Sequence, residues 1–163
     1  IINLPVMYID TKVIDDKGRC LLVSHSASGD NIESYIKASQ IVDIGITDEI
    51  TEHKMIDYNH QVSNIEMITL WERRVPKKTQ TNFFNVFGHT PIDNFAFKGG
   101  IGGNDKVNGC LTEDYVVIDK VRGYANIDSG CVYPKKRYGK FRGKMTAISF
   151  PDLEVIQQEN IDV

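Results

Sequence analysis

Two histidines stand where short apolar runs end, and that setting suits metal ligation. His89 lies in Phe87-Gly88-His89-Thr90-Pro91, closing the run Asn82-Phe83-Phe84-Asn85-Val86-Phe87, which reads as a buried strand. Glycine lets the backbone turn and come close, and proline holds the exit rigid. His25 ends a second run, Arg19-Cys20-Leu21-Leu22-Val23-Ser24, and is followed by Ser26-Ala27. Imidazole at such positions suits zinc, iron or manganese. For either histidine taken alone, the competing reading is an ordinary strand-to-loop turn with the ring bonded to backbone. His53 and His60 have no comparable setting and read as surface residues of a helical stretch.

These side chains need elements to position them. Residues 6–13 alternate as a strand, Asp15-Asp16-Lys17-Gly18 is a turn signal, and residues 19–24 return as the second strand of a hairpin. His25 then sits at the far end of that hairpin, where loops carry function. Residues 30–75 have a helical texture: Ile46, Ile50, Met55, Tyr58, Val62, Ile65 and Ile68 approximate helical spacing. Thr47 offers a cap, with Asp48 and Glu49 suited to a first turn, and Pro76 ends the region. The strand at 82–87 delivers His89. Residues 98–109 hold five glycines in twelve positions and read as a flexible loop between strand-like segments at 93–97 and 114–119. Segments 122–128, 143–150 and 153–158 complete the strands.

Composition sets outer bounds. At 163 residues the chain has the length of one domain and can bury a core. Hydrophobic content of 41% and charged content of 25% suit a globular protein, and a net charge of -3 argues against a general nucleic-acid or membrane-surface binder. No apolar run approaches the roughly 20 residues needed to span a bilayer, and no signal peptide is visible at Ile1-Ile2-Asn3-Leu4-Pro5. Cys20, Cys110 and Cys131 suggest neither a disulfide framework nor a zinc site; Cys20 and Cys131 read as buried free thiols, and a reducing cytoplasm is expected. From Pro134 to Lys144, six of eleven residues are basic, with Tyr138 and Phe141 interleaved. The shortness of this stretch and the acidic whole favour a solvated loop, with contact to a phosphorylated or acidic substrate as a second reading.

Set in chain order, the pieces are the strand ending at His25, Leu70-Trp71-Glu72-Arg73-Arg74, Gly88-His89-Thr90-Pro91, Ile127-Asp128-Ser129-Gly130 and Gly143-Lys144-Met145-Thr146-Ala147. Over residues 4 to 150 this order resembles the C-terminal half of the calcineurin-like metallophosphoesterases, and among them the phage and bacterial serine/threonine protein phosphatases. There the order is a strand ending in a metal-binding His, Trp-x-Arg, Gly-His-Thr-Pro, Ile-Asp-Thr-Gly and a Gly-x-Leu-Thr-Ala strand. The family's earlier motifs, Asp-x-His, Gly-Asp-x-x-Asp and Gly-Asn-His-Glu, do not occur in this sequence. Residues 1–163 are therefore expected to be the C-terminal portion of one such domain, lacking its N-terminal half.

The resemblance implies a four-layer α-β-β-α sandwich, of which this portion supplies a mixed sheet and a helical region at about 30–75. It implies that His25 and His89 bind one ion of a two-metal centre of manganese, iron or zinc. The carboxylate and amide ligands come from the absent half, so this chain alone is expected to hold at most one ion weakly and to be inactive. Arg73 matches the arginine that grips phosphate, with Arg74 as the register alternative; a helix-end charge is the competing reading. Asp128 and Thr90 are implied to support the metal ligands from behind, and Lys135, Lys136 and Arg137 to lie at the substrate rim. The implied partners are a phosphorylated protein or other phosphoester and the missing half of the domain, with self-association through an exposed sheet. Two alternatives share these features: a dinucleoside polyphosphate hydrolase, and a non-catalytic binding module on a phosphatase scaffold.

Overall fold

The computed structural model describes residues 7–27, 53–56, 76–92, 116–131 and 144–159 of the chain. Within them run β1 (Met7–Ile14), β2 (Cys20–Ser24), β3 (His53–Ile56), β4 (Phe83–Phe87), β5 (Val117–Asp119), β6 (Tyr124–Asn126), β7 (Lys144–Ile148) and β8 (Val155–Glu159). The first six form one mixed sheet in the order β3-β1-β2-β4-β6-β5, and β7 pairs with β8 in a separate hairpin. The centre of the large sheet is parallel, β2 with β4 and β4 with β6, while β1, β3 and β5 pair antiparallel with their neighbours.

One expectation is corrected. Residues 53–56, inside the stretch read as helical, form β3 and pair antiparallel with β1, with His53 opposite Asp10 and Ile56 opposite Met7. His53 is thus a strand residue, not one on a helix face shared with His60. Four residues are too few to display a period, and the open edge of β1 offers a row of backbone groups that an extended segment satisfies. The rest of 30–75, the glycine-rich 98–109 and the segment 93–97 lie outside the described residues.

The hairpin of β1 and β2 follows from its turn. Gly18 has φ 75°, a conformation that costs glycine nothing, and its N–H donates to the Asp15 carbonyl at 3.0 Å. The Asp15 carboxylate accepts from the backbone N–H groups of Lys17 and Arg19, each at 2.9 Å, and from Arg19 Nε at 2.7 Å. Burial pushes the Asp15 carboxyl up, but these hydrogen bonds and the guanidinium charge outweigh it and hold its pKa below the ordinary value.

Register then decides which residues share a face. Leu21 and Val23 lie beside Phe84 and Val86, and Val86 lies beside Ala125. On this face Phe84, Val86 and Ala125 form a buried cluster against which Ile148, Phe150 and Leu153 of the β7–β8 hairpin pack. The Phe84 and Phe150 rings stand 5.7 Å apart, centroid to centroid. The opposite face carries Leu22, Phe87 and Tyr124, all fully buried, and between them two equally buried asparagines, Asn85 and Asn126. Each large apolar side chain removed from water here stabilises the fold by about 1.5–3 kcal/mol.

The amino-terminal ends of the parallel strands are closed by a charged clasp. Arg19, 2% exposed, bonds Asp15 on one side and donates from Nη2 to the Lys120 carbonyl at 3.0 Å. Its guanidinium lies over the Phe84 ring, 5.2 Å from the centroid. Lys17 Nζ reaches the same Lys120 carbonyl at 2.9 Å. The clasp thus joins the β1–β2 turn to the β5–β6 turn, where Asp119 binds the Arg122 side chain at 2.8 Å.

Candidate metal centre

The carboxyl ends of β2, β4 and β6 lie side by side, because those three strands are parallel and adjacent. In open sheets of this kind the crevice at the carboxyl ends is where ligands bind. His25 follows β2, Gly88-His89 follows β4, and Asp128 lies two residues past the end of β6. Residues 64 and then 39 positions apart in the chain are therefore brought to one edge by topology.

His25 Nε2 lies 2.8 Å from His89 Nδ1, and the ring centroids are 4.6 Å apart at 59°. One ring donates and the other accepts, so the pair shares a single proton along that line. Two imidazole nitrogens on one zinc ion, each about 2.0–2.1 Å from it, stand about 2.8–3.4 Å apart for angles between right-angled and tetrahedral. The observed spacing sits at the short end of that range. A cation bound by both nitrogens would displace the shared proton and sit off the line between them, so each ring must rotate its lone pair toward it while the two nitrogens keep their spacing. Among the described residues no group of three or more His, Cys, Asp or Glu converges in a way that could hold a metal.

The backbone is shaped around this pair. His89 has φ 67°, left-handed territory that a side chain with a Cβ adopts only when its surroundings impose it. Gly88 donates its N–H to the His25 carbonyl at 3.1 Å, which ties the two turns directly. A Cβ at Gly88 would stand 3.8 Å from both that carbonyl oxygen and the Asp128 Cβ. Glycine is thus not sterically required by neighbours there; what the site needs is the αL turn at the histidine itself.

Asp128 ties down its own loop: its Oδ1 accepts from the Gly130 N–H at 3.0 Å, and its carbonyl accepts from the Ile92 N–H at 3.1 Å. Thr90 is 4% exposed, and its N–H donates to the Gly88 carbonyl at 2.8 Å. Its Oγ1 has no hydrogen-bond partner among the described residues. Ser129 Oγ links the loop to the hairpin, bonding the Lys144 carbonyl at 2.8 Å and Thr146 Oγ1 at 2.6 Å. Arg73, Arg74 and Trp71, and Lys135, Lys136 and Arg137, lie outside the described residues. Cys20 and Cys131 form no disulfide among the described residues and are half-buried rather than buried; burial, with Asp10 and Asp15 nearby, raises the Cys20 pKa.

Two residues at this end went unread in the sequence. Asn85 and Asn126, 0% exposed, sit in otherwise apolar strands. The signal was available: a polar side chain inside a run that must be buried has to find hydrogen-bond partners. Searches of family models, curated proteins and solved structures find no match to this chain.

Proposed function

We propose that this chain is the histidine-bearing portion of a metal-dependent phosphoester hydrolase of the calcineurin-like kind, acting on phosphoserine or phosphothreonine in proteins. The observation that carries the reading is the approach of His25 Nε2 to His89 Nδ1, 2.8 Å apart at the carboxyl ends of adjacent parallel strands. The ordered motifs supply the reaction class, and the paired imidazoles supply the reason those motifs belong together. In this reading the six-stranded mixed sheet and the hairpin packed on it contribute to the inner layers of the α-β-β-α sandwich.

His25 and His89 would hold one divalent ion through those two nitrogens, and the metal centre, when complete, supplies Lewis acidity and an activated water. The chain's own task is orientation. The αL turn at His89 and the Gly88–His25 backbone bond hold both turns in place before any ion arrives, so little backbone ordering remains on binding. Arg73 would grip two oxygens of the phosphate and offset charge that builds in the transition state. Carboxylate ligands are required as well, and the family's carboxylate motifs are absent from this sequence.

Calorimetric titration tests the reading. Zinc or manganese should bind weakly at one site per chain and be lost in His25→Ala and in His89→Ala. Inorganic phosphate should then bind only the metal-loaded chain, and Arg73→Ala should abolish that second step. Turnover of p-nitrophenyl phosphate by the chain alone is expected to be nil. Metal uptake indifferent to both histidine substitutions would remove the basis of the proposal.

A further inference from the structure

The two histidine turns are each gripped from below by a buried asparagine on the neighbouring strand. Asn85, on β4, donates from Nδ2 to Ser24 Oγ at 2.9 Å and to the Leu22 carbonyl at 3.2 Å. Ser24 Oγ in turn donates to the Ser26 carbonyl at 2.7 Å. Ser24 and Ser26 flank His25, so this relay closes the chain around that histidine and anchors it to the strand that carries the other one. Asn126, on β6, repeats the arrangement one strand further on. Its Nδ2 donates to the Thr90 carbonyl at 3.1 Å, immediately after His89, and its Oδ1 accepts from the Asp128 N–H at 2.9 Å. Both asparagines are wholly buried, and both lie on the same face of the sheet, since Asn126 pairs with Phe87 and Asn85 pairs with Tyr124.

We propose that Asn85 and Asn126 are positioning residues, which fix the turns at His25 and His89 so that Nε2 of one ring and Nδ1 of the other face each other at ligand spacing. An apolar residue would fill either position more simply in a buried strand. A primary amide there has a specific use: it donates to one segment of chain while its backbone stays in another. Each asparagine therefore converts the rigidity of the parallel sheet into a fixed location for a loop. The effect passes through Ser24, which flanks His25, and through the Thr90 carbonyl, which follows His89. The proposal rests on the metal reading only for the meaning of that spacing; the spacing itself is a property of the metal-free chain.

The test uses two measurements on the full chain. The first is the scalar coupling across the N–H···N bond between the two imidazoles, read by NMR on 15N-labelled protein without metal. The second is zinc affinity by calorimetry. Ser24→Ala and Asn126→Ala should each lose the coupling and weaken zinc binding by about tenfold to a hundredfold. Ser24→Thr keeps the hydroxyl and should retain both. Should Asn126→Ala fail to fold, Ser24→Ala, which removes one hydroxyl, still decides the matter. A folded Ser24→Ala chain with wild-type coupling and wild-type affinity overturns the proposal, as does absence of the coupling in the wild-type chain. Coupling present in the wild type and lost in Ser24→Ala, with no zinc uptake by either, would refute the metal reading while supporting the positioning role.

Discussion

The two ends of the parallel strands are built from opposite materials. At the amino ends, Arg19 is sealed between Asp15, the Lys120 carbonyl and the Phe84 ring, with charge met by charge. At the carboxyl ends, two imidazoles face each other across 2.8 Å, one of them exposed, on a backbone held at φ 67°. The same three strands pass through both ends, so their core packing cannot account for the difference. What differs is how the loops are closed. The clasp uses ionic and backbone contacts that hold two turns together, whereas the histidine edge is held from behind by neutral amides and leaves ring nitrogens facing one another. On the proposed reading, a division follows between an end that carries stability and an end that would carry chemistry, and it can be broken experimentally.

The largest effect should come from halving the clasp. Asp15→Ala leaves a buried guanidinium without its carboxylate and should cost about 3–5 kcal/mol of unfolding free energy, measured by denaturant titration. Replacing Asp15 and Arg19 together by leucine and methionine should recover part of that loss: no uncompensated charge remains, but the Lys17 and Arg19 N–H groups still lose their carboxylate acceptor. A loss of under about 1 kcal/mol for Asp15→Ala would place the clasp among ordinary surface pairs. The same carboxylate predicts an acid limb. Its pKa is lower folded than unfolded, so its stabilisation is fully present above the ordinary carboxylate value of 3.8 and is lost as pH falls through the lower folded value. Stability measured from pH 6 downward should fall less steeply at the acid end in Asp15→Asn than in the wild type.

Two glycines with similar backbones sharpen the contrast within the clasp. Gly18 has φ 75° with nothing within 4 Å of an added Cβ, whereas Gly123 has φ 87° and its Cβ would stand 2.5 Å from Arg19 Nη1 and 3.2 Å from the Phe83 carbonyl oxygen. Gly18→Ala carries conformational strain alone, about 1–2 kcal/mol. Gly123→Ala adds the displacement of a buried arginine held through its Nε and Nη2, bringing the total to about 2–4 kcal/mol. Equal losses in the two variants would mean that Arg19 swings aside freely and that the clasp is not rigid.

Much of the frame is legible in the residues. β2 and β4 are read from apolar runs that stop at a histidine, and the first hairpin is read from Asp15-Asp16-Lys17-Gly18. The meeting of His25 and His89 is legible only as motif order, because no local rule says that β2 and β4 lie side by side and parallel. β3 is illegible: His53-Lys54-Met55-Ile56 has no alternation to display, and its state is fixed by the edge it completes. Arg19 reads as the charged flank of a strand, yet it is buried, since its partners come from a turn four residues away and from a carbonyl 101 positions away. Asn85 and Asn126 follow the same logic. Their value depends on hydrogen bonds to segments 61 and 36 positions distant, which strand patterning does not encode.

The smallest effect on stability is expected where the effect on binding is total. His89 adopts φ 67°, and a residue with a Cβ held there costs about 1–2 kcal/mol relative to a relaxed backbone. His89→Gly removes that strain and also loosens the unfolded chain, which costs about 0.4–1 kcal/mol in the other direction. The variant also forfeits the ring-to-ring hydrogen bond with His25, a contact on the exposed side of the site worth about 1 kcal/mol or less. These contributions nearly cancel, so His89→Gly should unfold within about 1 kcal/mol of the wild type while losing measurable zinc binding. His89→Ala keeps the strain without the ring and should be the less stable of the two by about 1 kcal/mol. Denaturant midpoints for the three proteins, set beside their zinc titrations, decide it. If His89→Gly were destabilised as severely as Asp15→Ala, the histidine edge would be a stabilising element like the clasp, and the division between the two ends would fail.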